Sequence, residues 1–216
     1  MYLSRLILNP ASRNAQRDMN QAYQLHRTIS HAFPHDPPFS DERVLFRLEY
    51  HRKERMWWTL VQSRHAPDWK FLELNEWGNY LLRPVDIKIY EPVFAPGTGY
   101  RFRLLANPTF KTMNEKTNKK ARLNLFDAED QVDWLQRKLS SAGSEVLDLC
   151  LVPQGMRRSH KMDEIRQQVH KQTHLAILFE GVLRVTEPDA LRAAVENGIG
   201  PAKGYGFGLL SLAPIS

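Results

Sequence analysis

The stretch VLFRLEYHRKERMWWTLVQSR, residues 44–64, decides the predicted fold. Its two arms, 44–52 and 56–64, are rich in the branched and aromatic residues that favour strands. A short charged segment separates the arms, and this pattern predicts a β-hairpin. The segments that flank the hairpin then indicate which fold it belongs to.

Elements on both sides of the hairpin complete one structural unit. In chain order they are a strand at 2–8, a helix at 21–33 with Asn20 as its N-cap, the hairpin itself, a short helix within 68–82, and a strand at 85–92 that ends at Pro92. The order β-α-β-β-α-β is that of a ferredoxin-like unit.

The same order recurs after the turn-rich segment 95–99. The predicted elements are a strand at 100–108, an amphipathic helix at 127–143, strands at 144–152 and 173–185, a helix at 187–198 that ends at Gly198, and a final strand at 207–213. The sequence therefore predicts an α+β protein with two tandem ferredoxin-like (RRM-like) βαββαβ domains, residues 1–95 and 96–216. No clear repeat of residue identities accompanies this repeated pattern.

The charge balance favours a polyanionic partner. Lysine and arginine number 30 and aspartate and glutamate 24 in the 216 residues, a formal net charge of +6. Such a balance is most often associated with nucleic acid, although many basic proteins bind none. The cations concentrate in segments 111–122 and 157–171, which contain Lys111, Lys119, Lys120 and Arg122, and Arg157, Arg158 and Lys161. Both segments lack a core-facing stripe, which predicts loops or exposed hairpin arms, in contact with nucleic acid or simply solvated.

The cysteine count and the N-terminal sequence indicate the compartment. Cys150 is the one cysteine, so neither an internal disulfide nor a cysteine-based zinc site is expected. The N-terminus lacks the apolar core of a signal peptide, and no apolar stretch approaches the ~18 residues that a membrane span needs. We therefore expect a cytoplasmic protein with no membrane partner, no metal and no cofactor.

Helical periodicity over 21–33 brings reactive side chains together. At about 100° per residue, Tyr23 and Ser30 fall beside His26, and Arg27 follows one step around. Metal-free cleavage of RNA needs one group to take the proton of the 2′-hydroxyl and another to protonate the leaving 5′-oxygen. Histidine can do either near neutral pH, and a cation can stabilise the charged phosphorane. The alternative is that His26 and Tyr23 are half-buried packing residues.

The stretch GIGPAKGYGFGLLSLAP, residues 198–214, holds five of the eleven glycines. Gly204, Gly206 and Gly208 are spaced by two, so in an extended chain they share one face. A face without side chains lets another backbone approach closely, either a packed helix or a ribose-phosphate chain, and Lys203 would suit phosphate. The pattern is neither a P-loop nor a dinucleotide-binding fingerprint.

Several strings together resemble the CasE family, the repeat-processing endoribonucleases of type I-E CRISPR systems. They are MYLSRLILNPASR, YQLHRTIS, YRFRLLANP, VDWLQRKL, FEGVL and GIGPAKGYGFGLLSLAP, in this order along the whole chain. The resemblance implies tandem ferredoxin-like domains and metal-independent cleavage of CRISPR repeat RNA at the base of its stem-loop. It implies products with a 2′,3′-cyclic phosphate and a 5′-hydroxyl. It also implies retention of the hairpin as a subunit of the Cascade complex, beside other Cascade subunits, in a protein that is a monomer when free.

The resemblance also implies roles for individual residues. Tyr23 and His26 occupy the family's catalytic positions, and Arg27 follows as a phosphate or transition-state contact, with Ser30 on the same flank. His31 stands where some relatives carry a lysine near the active site. Arg157 and Arg158 match, loosely, arginines that grip the RNA stem. The glycine stretch, with Lys203 and Gly204, is expected to face the helix of the first domain and to help shape the RNA site.

Two other functions remain open at this point. The first is a non-catalytic subunit that binds the RNA hairpin, against which Tyr23 and His26 argue because both are intact. The second is a general RNA-binding protein of the RRM type, which we rank last because the predicted strands lack a clear pair of exposed stacking aromatics.

Overall fold

The computed structural model describes residues 1–33, 42–114, 119–163 and 168–215. The chain forms two compact units. The first consists of Met1–Glu91, Arg158–Gln172 and Lys203–Leu209, and the second of Pro92–Arg157, Thr173–Ala202 and Leu210–Ser216. The domain boundary at residues 95 and 96 stays a prediction. The structure adds that two later segments of the chain pack with the first unit.

The first unit has the predicted ferredoxin-like topology. Its elements are β1 (Tyr2–Leu8), α1 (Arg13–Asn20), α2 (Ala22–Ser30), β2 (Leu45–His51), β3 (Met56–Ser63), 3-10 turns at Lys70–Glu73 and Asn75–Trp77, and β4 (Asp86–Ile89). The sheet order is β2-β3-β1-β4, and neighbouring strands are antiparallel. The hairpin predicted from 44–64 is therefore present as β2 and β3, with β3 beside β1 at the centre of the sheet.

The helices of the first unit differ from the prediction. The helix predicted over 21–33 is α2, and α1, which precedes it, was not predicted. Asn20 as N-cap was wrong: it ends α1, while Gln21 is the N-cap of α2 and makes no side-chain capping bond. The short helix predicted within 68–82 is a pair of 3-10 turns.

A buried carboxylate joins the two helices of the first unit. Asp18 of α1 is fully buried and accepts hydrogen bonds from the Thr28 hydroxyl of α2 (2.6 Å), the Tyr80 phenol (2.8 Å) and Arg17 Nε (2.7 Å). Burial, followed by the charge of Asp18, raises the pKa of Tyr80 far above its ordinary value, so the phenol remains a donor. Because a buried charge is costly unless it is well paired, this network stabilises one orientation of α2 against α1.

The sheet of the first unit packs one face on the helices, and its opposite face carries a stacked aromatic pair that was not predicted from the sequence. The rings of His51 on β2 and Trp58 on β3 are parallel within 4°, with centroids 4.3 Å apart, and the Arg5 guanidinium lies 4.9 Å from the Trp58 centroid. Opposite Trp58 on β1 is Ile7. The two central strands thus do not present the pair of aromatics that is typical of RRM domains.

The second unit repeats the topology with an added hairpin. Its elements are β5 (Gly99–Ala106), β6 (Thr109–Asn114), β7 (Lys119–Asn124), α3 (Ala128–Ser140), β8 (Ser144–Asp163), β9 (Gln168–Val185), α4 (Pro188–Asn197) and β10 (Leu210–Pro214). The four-stranded sheet has the order β10-β5-β9-β8, and β6 and β7 form a separate ribbon. The outer parts of β8 and β9, Arg158–Gln172, belong to the first unit.

Three predictions about the second half can be compared with these elements. Gly198 does end α4, with a φ of 71°. Both basic segments are hairpin arms, one of the two forms predicted, although residues 115–118 and 164–167 lie outside the described part of the chain. The last strand begins at Leu210 and not at residue 207. Among the described residues, no helix is long and apolar enough to cross a membrane.

Candidate active site

One flank of α2 faces the glycine-rich segment. Tyr23 and His26 are half-buried on this flank, with ring centroids 6.5 Å apart. The opposing element is the 3-10 turn Lys203–Tyr205, which packs within the first unit. A Cβ placed on Gly204 would lie 3.5 Å from Cδ2 and 3.6 Å from Nε2 of His26. The backbone of the turn therefore lies in van der Waals contact with the Cδ2–Nε2 side of the imidazole.

The imidazole also packs on a ring of the hydrophobic core. The His26 ring is parallel to that of Phe46 within 9°, with centroids 6.0 Å apart, and Phe46 is fully buried. The half-buried histidine is thus in contact with both a core ring and the backbone of the glycine turn.

The prediction that three glycines share one face of an extended chain was wrong. Gly204 lies in a 3-10 turn, while Gly206 and Gly208 have φ of 82° and 90°. These angles lie in the left-handed region, where other residues are strained. A Cβ on Gly206 would also come within 3.1 Å of the Phe46 ring. Gly206 therefore serves a turn that is packed on the core.

Tyr205 is a member of this cluster that sequence reasoning did not single out. Its ring stacks on that of Tyr23 with centroids 5.9 Å apart and an interplanar angle of 30°. Burial raises the pKa of Tyr205, and the nearby phenol of Tyr23 raises it further. The available signal was an aromatic residue between two glycines of the quoted stretch, but only the fold shows what it contacts.

The remaining predicted residues near α2 separate into different surroundings. Arg27 is exposed. The Ser30 hydroxyl donates to the backbone carbonyl of His26 (2.8 Å), a bond within the helix. His31, at the end of α2, packs on Phe71 and Trp77, with centroids 5.9 and 6.0 Å away. The structure therefore brings Tyr23 and His26 together with the turn, and places the His31 ring in another aromatic cluster.

Comparison with known proteins identifies the family. A family model described as CRISPR associated protein matches residues 1–214. The chain is 33% identical over 224 aligned residues, spanning the whole of both chains, to the CRISPR system Cascade subunit CasE of Escherichia coli. The chain belongs to the CasE family. It is also 36% identical over 223 residues, 99% of this chain and all of the relative, to the CRISPR-associated endoribonuclease Cse3 of Thermus thermophilus.

A solved structure of the CasE family extends this likeness to the fold. The structure of CRISPR endoribonuclease Cse3 bound to a 19-nucleotide RNA superposes with a TM-score of 0.84 at 35% identity, covering 99% of this chain and 100% of that chain. The predicted family and its tandem ferredoxin-like fold are thereby confirmed.

The first basic segment of this CasE-family chain is a ribbon with two unlike faces. In the β6–β7 register Lys111 lies opposite Arg122, and Lys120 follows on the same face. All three side chains are exposed. Like charges directly opposite each other destabilise a strand pair, so this face suits a polyanion. The other face carries exposed Phe110 and Leu123; the side chain of Lys119 lies outside the described residues.

The second basic segment does not present its two arginines together. Arg157 and Arg158 are neighbours on β8, and successive side chains of a strand point to opposite faces. Accordingly Arg157 is half-buried, and burial lowers the pKa of its guanidinium, whereas Arg158 is exposed. Lys203 is half-buried on the 3-10 turn. The side chain of Lys161 lies outside the described residues.

Proposed function

We propose that this chain is a metal-independent endoribonuclease that cleaves CRISPR precursor RNA at the base of the repeat stem-loop. The observation that carries this proposal is the placement of Tyr23 and His26 side by side on α2, with His26 against the backbone of Gly204. A relative 36% identical along nearly the whole chain is named an endoribonuclease, which supports the same activity here.

The chemistry follows from the needs of the reaction. The ribose 2′-oxygen attacks the adjacent phosphorus, its proton passes to a base, and the P–O5′ bond breaks as O5′ takes a proton from an acid. The imidazole of His26 and the phenol of Tyr23 are the two groups proposed for these transfers. Arg27 and Lys203 are the cations proposed to stabilise the phosphorane. The products are a 2′,3′-cyclic phosphate and a 5′-hydroxyl, and no step needs a metal ion.

The hairpin arms are proposed to hold the RNA stem. The major groove of an A-form stem is too deep and narrow for side chains to read, so phosphate and shape contacts dominate. The proposed phosphate contacts are Lys111, Lys119, Lys120 and Arg122 on the β6–β7 ribbon, and Arg157, Arg158 and Lys161 on β8. Their charge supports this role, and Arg158 is better placed for it than Arg157 because it is exposed.

After cleavage, the chain is proposed to keep the hairpin and to join other Cascade subunits. A relative 33% identical over its whole length is named a Cascade subunit, which supports this role. A monomeric state when free and a cytoplasmic location, where the precursor RNA is made, belong to the same proposal.

The deciding experiment is cleavage of the cognate repeat RNA by chelator-treated protein, with analysis of the product ends. We expect cutting at one position and 2′,3′-cyclic phosphate ends. A single 2′-deoxy substitution just before the cut should abolish cleavage, because it removes the nucleophile. Cutting of that substituted RNA would overturn the proposed chemistry.

Substitution of the histidine tests the assignment of the site. His26→Ala should lower the single-turnover rate by about 10²–10⁴-fold, the usual contribution of one acid–base group, with RNA affinity largely kept. Wild-type cutting by this variant would reject His26. If the wild-type protein shifts the RNA in a gel but never cuts it, the chain is a hairpin-binding subunit.

A further inference from the structure

We infer that Tyr205 is a positioning residue whose ring holds the Tyr23 phenol in place beside His26. This inference rests on the proposed function, since it concerns how the same site is organised. The Tyr23 ring has the Tyr205 ring at 5.9 Å and the imidazole at 6.5 Å. Together with Phe46, which stacks on His26, the four rings form a continuous row.

The segment that carries Tyr205 is firmly held in the first unit. Gly206 N donates to the Lys203 carbonyl (3.1 Å), which closes the turn. Phe207 is fully buried and Leu209 nearly so, and the Leu209 carbonyl accepts a hydrogen bond from Arg47 Nη1 (3.0 Å). Tyr205 therefore belongs to a segment anchored in the core, so its half-buried ring extends from a firmly held backbone.

Tyr23 needs such a support because it is only half-buried on α2, so the core alone does not fix its side chain. Tyrosine on a helix can choose between staggered χ1 rotamers, and only one of them points the phenol toward a given substrate atom. Stacking on the Tyr205 ring favours one rotamer before RNA binds. Reaction rates are sensitive to such placement, since misplacing a reacting group by about 1 Å can cost about 10²-fold.

The structure favours the ring of Tyr205 over its hydroxyl as the acting part. The contact with Tyr23 is an inclined stack of the two rings, with centroids 5.9 Å apart and a 30° interplanar angle, which a phenylalanine would reproduce. Burial and the phenol of Tyr23 both raise the pKa of Tyr205, so its hydroxyl stays protonated near neutral pH. The hydroxyl is therefore a poor base.

Three variants compared under single-turnover conditions test this inference. Tyr205→Phe should retain most of the rate. Tyr205→Ala should lower it by about 10- to 100-fold, the scale of a misplaced reacting group. Tyr205→Leu, which keeps bulk without a flat ring, should fall between them. Affinity for an uncleavable 2′-deoxy RNA should change far less than the rate, because positioning acts on the chemical step.

A double-mutant cycle separates positioning through Tyr23 from a direct contact of Tyr205 with RNA. If Tyr205 acts through Tyr23, Tyr205→Ala should add almost nothing to the defect of Tyr23→Ala. The control is Tyr50→Ala, which removes another tyrosine in contact with an aromatic ring of the same unit, 5.2 Å from Trp57, and should cleave like the wild type. Thermal unfolding of each variant identifies any that has lost its fold, and Tyr205→Leu and Tyr205→Phe then carry the test.

Specific results would overturn the inference. One is an equal loss in Tyr205→Phe and Tyr205→Ala, which would assign the effect to the hydroxyl. Another is a double variant whose fold-loss in rate equals the product of the two single losses, which would mean that Tyr205 acts independently of Tyr23. A third is wild-type cleavage by Tyr205→Ala or by Tyr23→Ala. If His26→Ala is inactive while Tyr205→Ala cleaves normally, only this inference fails. Normal cleavage by His26→Ala removes the proposed function itself.

Discussion

The imidazole of His26 lies parallel to the fully buried ring of Phe46, with centroids 6.0 Å apart and planes within 9°. A core residue of β2 thus sets the plane of the group that we propose transfers protons. This contact should therefore affect both stability and catalysis, and comparing Phe46 with another core phenylalanine can separate the two effects.

We expect Phe46→Leu to lower both stability and cleavage. The lost volume should cost roughly 1–2 kcal/mol, less than truncation to alanine, and the imidazole loses its flat support. The control is Phe33→Leu in the same core, where the ring packs on Trp69 and away from His26. Urea unfolding should show similar losses for the two variants, and single-turnover cleavage should fall several-fold in Phe46→Leu alone. Equal cleavage by the two would contradict the role of the stack.

Substitution by alanine should mainly lower stability at Gly206 and mainly lower the cleavage rate at Gly204. Gly206→Ala should reduce the free energy of unfolding by about 1–2 kcal/mol, because its φ of 82° is strained for other residues. Gly204→Ala should keep stability within about 0.5 kcal/mol, since its Cβ meets only ordinary contacts. Its methyl group would nevertheless stand beside His26 Nε2, so the cleavage rate should drop by about tenfold, a fraction of one acid–base contribution. Unchanged cleavage by a stable Gly204→Ala variant would argue against RNA approaching His26 beside this turn.

Asp18→Asn should destabilise the first unit far more than Asp86→Asn. Asp18 is fully buried with three donors, and an amide cannot accept from all of them, which should cost about 1–3 kcal/mol. Asp86 pairs with Arg5 at the surface, and such pairs contribute about 0–1 kcal/mol. Chemical unfolding of the two variants checks this difference. A loss as small for Asp18→Asn as for Asp86→Asn would mean that the network does not tie α1 to α2.

Stability should fall in acid partly through His174. Burial lowers the pKa of this imidazole from its ordinary 6.5, and Asn107 Nδ2 lies 3.1 Å from its Nδ1. The unfolded chain then binds a proton before the folded chain does. The contribution of His174 to stability is therefore fully present above 6.5 and is lost as the pH falls toward the lower folded pKa. Unfolding at about pH 7.5 and about pH 5.5 should show a smaller drop for His174→Gln than for the wild type, and equal drops would refute the prediction.

The β6–β7 ribbon should control the salt dependence of RNA binding. Lys111→Ala combined with Arg122→Ala should weaken affinity and lower the slope of log Kd against log salt by about 2, roughly one for each phosphate contact. The rate at saturating protein should remain, because the chemistry belongs to α2. Lys88→Ala removes an exposed cation of β4 and serves as the control. A slope that matches the control would remove the ribbon from the RNA interface.

The strands could be predicted because their signal is local. The arms 44–52 and 56–64 appear as β2 and β3 with ends shifted by at most one residue, since branched and aromatic side chains suit the pleated, half-buried surface of a sheet. The helix α1 was missed for an equally local reason. Its buried residues are Ala15 and Asp18, one small and one charged, so it shows no apolar stripe. Only the partners of Asp18 in the fold explain why that side is buried.

Only part of the candidate site could be predicted from the sequence. Tyr23 and His26 lie three positions apart in one helix, so periodicity alone places them on one flank. Tyr205, Phe46 and Gly204 reach the same place from distant parts of the chain, and no local pattern reports such contacts. The spacing of the glycines gave a wrong prediction, because a period of two indicates an extended chain. Gly206 and Gly208 instead have positive φ angles, in a turn that packs on Phe46 through Gly206.

The amino-acid sequence by itself determined the two βαββαβ patterns, the basic hairpin arms and the pairing of an imidazole with a phenol on α2. These depend on backbone preference, periodicity and charge, which act between near neighbours. Only the tertiary structure decided that the imidazole is stacked on a core ring, that a glycine turn lies against its Cδ2 and Nε2 atoms and that a second tyrosine stacks on the first. Those features arise from close packing between segments far apart in the chain, and packing selects side-chain positions that no single segment specifies.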